Sequence, residues 1–154
     1  MRNTAETRRP GRALAGGIAG ALVLTGLHES ARALLNHPPR MDVIGERALR
    51  RSFEALGQRP PRGRRLYRAT LAGEVLSNSL YYSIVGAVEP SRRLRTGLLV
   101  GLIAGIGAVL LPPRLGLGHP PGEKSPMTPL LTIAWYTAGG LAAAAVARLL
   151  NERP

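Results

Sequence analysis

The apolar residues of this 154-residue chain are gathered into four blocks, and its arginines fill the gaps between them. A mean hydropathy near zero, +0.02, would suit a soluble protein, but that average hides the segregation. The blocks cover 13–27 (continuing less cleanly to 35), 69–88, 94–111 and 128–150. An α-helix needs roughly 20 apolar residues to cross a hydrocarbon core about 30 Å thick. The second and fourth blocks reach that length. The third is slightly short, with Arg95 placed to snorkel outward. With one Phe, one Trp and four Tyr, a soluble core of this size would lack large side chains, whereas 19 Gly and 13 Pro suit membrane helices. The expected fold class is therefore all-α, a membrane-embedded helical bundle with about four transmembrane helices. It forms one domain over 13–150, between a basic tail, 1–12, and a short C-terminal tail, 151–154.

Pro112-Pro113 is expected to end the third span sharply, since proline cannot continue a helix. Pro129 falls in the first turn of the fourth, where its missing N–H costs nothing. The first block is the ambiguous one. Its uncharged part is 15 residues, about 22 Å of helix, and extending it to Leu35 carries His28, Glu29 and Arg32 inside. A signal peptide is the competing reading, with Ala31-Arg32-Ala33 imitating a cleavage site, but the charges crowded there argue against cleavage.

Short loops rich in Arg and Lys stay cytoplasmic. Four spans divide these charges nine against eleven, which selects no orientation. If the first segment dips in and returns, the split becomes sixteen against five, a better charge solution that requires a re-entrant segment buried in protein. Four spans is the main reading, and the re-entrant one stays open.

The long gap after the first span carries Met41, Ile44, Ala48, Leu49, Phe53 and Leu56 at helical spacing, with Arg47, Arg50, Arg51 and Glu54 mostly elsewhere. Asp42 is a plausible N-cap, and Gly57 before Pro60-Pro61 a plausible stop. This predicts a basic amphipathic helix near 42–57, lying at the headgroup boundary between the first two spans.

Few polar residues fall inside the blocks. Glu74, Asn78 and Tyr82 follow at i, i+4 and i+8 in the second, and His28 and Arg32 share a face in the first beside Glu29. A charge near mid-membrane costs about 2.5–3.5 kcal/mol on insertion scales, so Glu74 should face the bundle interior, with an ion pair to Arg32 or His28 expected. His28, Glu29, Arg32, Glu74, Asn78 and Tyr82 thus form a candidate intramembrane polar cluster. It is either a hydrogen-bonded core that fixes helix register or a proton, ion or catalytic site. Gly97, Gly101 and Gly105 repeat every fourth residue in the third span, as do Gly16 and Gly20 in the first. Small residues on one face let helix backbones approach closely. These ridges suit packing within the bundle, or a homo-oligomer.

Several chemistries are excluded. There is no Cys, hence no disulfide or thiolate. No second His follows His28-Glu29 at metalloprotease spacing, and His37 and His119 sit in Pro-rich loops without a zinc set. No phosphate-cradling Gly loop is present, so no metal and no cofactor is expected. The net charge of +12 comes from twenty Arg and one Lys that flank apolar segments, which points to the lipid bilayer and anionic lipid headgroups and not to nucleic acid.

His28-Glu29-Ser30-Ala31-Arg32, Pro39-Arg40-Met41-Asp42 and Ser77-Asn78-Ser79-Leu80-Tyr81-Tyr82 together resemble an uncharacterised family of small bacterial multi-pass membrane proteins. The resemblance covers about 13–150 and implies a bacterial inner-membrane location, without an activity, cofactor or catalytic residue. The favoured function is structural or accessory and non-enzymatic, with a membrane protein partner or a second copy as candidates. The alternative is a small transporter or channel subunit using the polar cluster. A membrane-embedded enzyme acting on lipid, with His28 and Glu29 as acid and base, is the third reading.

Overall fold

The computed structural model describes residues 4–36, 38–121 and 126–150; Arg2, His37, Lys124 and the tail 151–154 lie outside these. Among the described residues the chain is all-helical: α1 (Thr4–Leu34), α2 (Met41–Ala55), α3 (Arg64–Ala87), α4 (Arg93–Arg114) and α5 (Met127–Leu149). A single 3₁₀ turn, Pro90–Arg92, joins α3 to α4. Three segments are long and apolar enough to cross a membrane: Pro10–Leu34, Pro90–Arg114 and Met127–Leu149. The 24-residue α3 has the length, but Arg64, Arg65, Arg68 and Glu74 lower its apolarity.

α1, α3, α4 and α5 run alternately up and down. Ala13 meets Gly86 at one end of the α1–α3 pair, and Arg32 lies over the Tyr67 ring, 4.8 Å from its centre, at the other. α1 is one uninterrupted helix across that whole distance, so it does not dip and return. Gly97, Gly101 and Gly105 of α4 lie against Gly140, Thr137 and Ile133 of α5. Gly16 and Gly20 of α1 face Ala143, Ala147 and Gly139 of α5, and Gly17 faces Ser79 and Ser83 of α3.

The interior is accordingly built from small side chains: Ala21, Ala143, Ala144 and Ala147 are fully buried, with Leu24, Leu66, Tyr82 and Val85 as the larger members. The outside is the reverse. α4 buries Gly97, Gly101 and Gly105 while exposing Leu94, Leu98, Leu99, Ile103, Ile106, Leu110 and Leu111. A protein in water would turn that inside out, because exposing a contiguous apolar surface forfeits the largest favourable term in folding. In lipid the arrangement is stable, since association there comes from close backbone packing and not from burying hydrocarbon.

Two local expectations are corrected. Pro112 and Pro113 do not end α4; the helix carries both in its last turn and runs to Arg114. Proline's φ fits a helix, and in the last turn each ring leaves only one carbonyl, four residues back, without its donor. The stop is Gly116, whose φ of +71° closes a Schellman turn with Gly116 N–H donating to Pro113 O and Leu117 N–H to Pro112 O. The second correction concerns Asp42. It makes no side-chain cap to α2 and instead takes a two-pronged hydrogen bond from the Arg40 guanidinium, at 2.9 Å on each prong. That partner holds Arg40 above its ordinary, already high pKa.

Candidate functional site

A cavity of about 620 Å³ lies between α1, α3 and α4, with Tyr136 of α5 at its edge and α2 across one end. The helical periods of three separate segments deliver its polar lining. His28, Glu29 and Arg32 come from one face of α1, Glu74, Asn78 and Tyr81 from α3, and Asp42 from the first turn of α2. The opposite wall is α4, contributing Ile103, Ala104, Ala108 and Leu111; Ile103 and Leu111 are both more than half exposed, so the cavity is open on that side. Five of the six residues of the predicted polar cluster therefore meet in one place. The sixth does not.

Tyr82 is fully buried and packs with Leu24, Val85, Ala143 and Ala144, its hydroxyl donating to Tyr136 O at 2.8 Å. Helical geometry explains the exchange of Tyr82 for Tyr81. At about 100° per residue, i+8 falls about 80° away from i, whereas i+7 falls within about 20°. Tyr81 thus shares the cavity face with Glu74, and its hydroxyl donates to Val100 O at 3.1 Å.

The charges pair differently from expectation. Arg32 pairs with Glu29 on its own helix at 2.5 Å, and not with Glu74. The reason is local: an i,i+3 partner is within reach without spanning the cavity. Among the described residues no ion pair holds the Glu74 carboxylate. It is half-buried and lies against Gly45 of α2, where any side chain would collide with it and with Thr70. The His28 ring stacks edge-on against Trp135 and Tyr136, with centroids 5.0 and 5.9 Å away. It makes a hydrogen bond to the Leu24 backbone, and its Nε2 is buried with no partner. Among the described residues no group of three His, Asp or Glu side chains is placed to hold a metal ion.

α2 is tied down at both sides of the cavity. Gly45 seats it on α3 at Thr70 and Glu74. On the far side Arg47 donates to Leu117 O (2.8 Å) and His119 O (3.0 Å), and Arg51 to Leu115 O and Gly116 O (2.8 Å each). Positive φ at Gly116 and Gly118 folds that turn so that its carbonyls gather under the two guanidinium groups. The sequence marks these arginines only as the polar side of an amphipathic helix; the pairing of a basic i,i+4 couple with a Gly-x-Gly turn after a helix is the signal that could have linked them. Replacing both Arg47 and Arg51 by Ala should release α2 alone. These bonds, three exposed and one part-buried, total about 1.5 kcal/mol, so amide exchange over 41–55 should rise roughly tenfold while α4 and α5 stay protected.

Chemically, the site offers one carboxylate without a cation, hydrogen-bond acceptors, the donors of the Asn78 amide, aromatic rings and an apolar wall. Among the described residues that line it, the Ser77 and Tyr81 hydroxyls donate to backbone carbonyls and not to a base. No family model matches the chain, and no curated protein or solved structure does either.

Proposed function

We propose that this chain is a four-span protein of the bacterial inner membrane that acts as a non-enzymatic accessory protein, holding a small amphiphile in the cavity beneath α2. On this reading α3 is the fourth span, its polar stripe turned inward because Glu74, Asn78 and Tyr81 line the cavity and not the lipid. α2 lies at the headgroup boundary, with Leu56 outward and its arginines at phosphate level. The observation that carries the proposal is the cavity itself: a polar wall facing an apolar one, at the end of a bundle whose other half is packed backbone to backbone. A pocket lined mainly by apolar groups with a few convergent polar ones is the usual form of a small-molecule site.

The test is native mass spectrometry of protein extracted from membranes, comparing wild type with Ala108→Trp, which places an indole in the cavity. A small-molecule adduct present in wild type and missing in the variant is expected. An identical spectrum for both removes the proposal. The same intramembrane cluster also suits a transporter subunit, which makes a separate demand: proteoliposome flux that is lost in Glu74→Ala. The tight packing around Tyr82, Gly20 and Gly139 beyond the cavity supports holding over passage.

A further inference from the structure

Beside the Asn78 amide and the Thr25 hydroxyl, which can donate, the cavity holds a carboxylate without a cation and an orphaned acceptor, and that asymmetry identifies a ligand class. The Glu74 carboxylate has no cation among the described residues. Of the described arginines only Arg32 lines the cavity, and Glu29 occupies it. Arg40, behind Asp42, is occupied by that carboxylate. The Tyr81 hydroxyl donates elsewhere, to Val100 O. Two further acceptors belong to residues that line the cavity. His28 Nε2 is buried without a partner while the ring bonds the Leu24 backbone, and a neutral imidazole that donates from one nitrogen accepts at the other. The second is the Ala108 carbonyl, whose usual helical donor would be the N–H four residues on. That residue is Pro112, which has none, and both residues line the cavity. A buried acceptor without a donor, as His28 Nε2 is, is uncommon in folded proteins and calls for a complement.

We propose that the cavity binds an organic ammonium ion carrying a compact apolar group, with Glu74 as its counter-charge and the α4 wall of Ile103, Ala104 and Leu111 receiving the apolar part. An N–H⁺ group supplies donors to the acceptors and charge to the carboxylate, and the rings of His28 and Tyr136 at the cavity edge favour a cation over an anion. An anionic amphiphile would meet uncompensated negative charge. A neutral one would leave the carboxylate unpaired. This inference rests on the reading of the cavity as a binding site and adds the sign of its ligand.

Trp135, the only tryptophan, touches His28 and so reports on the cavity. Purified full-length protein in detergent is titrated with 1-adamantylammonium, 1-adamantanol and 1-adamantanecarboxylate, three probes of one shape and different charge, while Trp135 emission is followed. Saturable binding of the ammonium is expected, with the alcohol and carboxylate at least about tenfold weaker, and Glu74→Gln weakening the ammonium by about tenfold or more. Ala108→Phe, which fills the cavity without adding a second tryptophan, should abolish all saturable binding. Equal affinity for the three probes, or an ammonium affinity unchanged in Glu74→Gln, overturns the charge assignment while leaving a binding cavity in place. If Glu74→Gln fails to fold, the charge series on wild type decides alone. If no probe binds while the native adduct persists in wild type and vanishes in Ala108→Trp, the ammonium inference falls and the cavity reading stands.

Discussion

Replacing Gly101 by leucine is expected to destroy the bundle. A Cβ at this position would lie 2.6 Å from the Thr137 Cα and 2.8 Å from Tyr136 O, both backbone atoms that cannot swing aside. Overpacking a core ordinarily costs about 1–3 kcal/mol, and here the only relief is to part α4 from α5 along their shared length, so the upper end or more is expected. The measurement is folded yield and denaturant stability in detergent. Gly26→Ala and Gly73→Ala are the internal controls, because a Cβ there meets nothing within 4 Å. Both should be neutral, or stabilising by up to about 1 kcal/mol, since alanine is the better helix former. If Gly101→Leu behaves like these controls, the α4–α5 interface is wrong.

Arg93→Ala is expected to be the second most damaging change. The guanidinium is buried at 6 % exposure without a carboxylate among its bonded partners. It donates to Ala147 O at 2.7 Å and to Val88 O and Gly86 O at 3.3 Å each. Those carbonyls belong to the last turns of α5 and α3 or follow directly after, where a helix has unpaired acceptors and the negative end of its dipole. One cation at the start of α4 therefore ties down the ends of two other helices. Bonds from a charged donor contribute about 1.5–3 kcal/mol each. The two longer ones are worth less, so a total loss near 3 kcal/mol is expected in thermal or denaturant unfolding. Arg93→Lys should recover less than half, because an ammonium cannot spread its donors as the planar fork does. Arg92→Ala, by contrast, removes only an exposed pair with Glu89 and should change nothing measurable.

The sequence makes the helical architecture legible because apolar block length maps directly onto span length, and the Gly97-Gly101-Gly105 ridge maps onto one face. The candidate cavity was legible for the same reason: Glu74, Asn78, His28 and Arg32 sit at helical spacing in segments that had to pack together. Phase was the weak point. Counting in fours placed Tyr82 in the cluster, although an eight-residue step drifts a quarter turn, and it concealed Tyr81. The same arithmetic, carried one step backward along the ridge, reaches Arg93 and would have marked it as facing α5. Pairing was illegible. Glu29 competes with Glu74 for Arg32, and which wins depends on a distance across the bundle that no spacing encodes. The tie between α2 and residues 115–119 joins positions more than sixty apart in sequence, and no local pattern of either segment names its partner.

A cavity that takes its ligand from solution must be reached by water, whereas the outer leucines of the bundle must lie in lipid. Because the chain has no cysteine, single cysteines can report on both surfaces without background. A thiol reacts as its thiolate, which forms in water and not in hydrocarbon. Asn78→Cys and Ala108→Cys line the cavity, whereas Leu22→Cys and Leu99→Cys replace residues that are 56 % and 47 % exposed on the outside. In membranes treated with a water-soluble methanethiosulfonate, the two cavity cysteines should label and the two outer ones should not. Labelling of Leu22→Cys and Leu99→Cys with Asn78→Cys and Ala108→Cys inert would contradict the account on both counts.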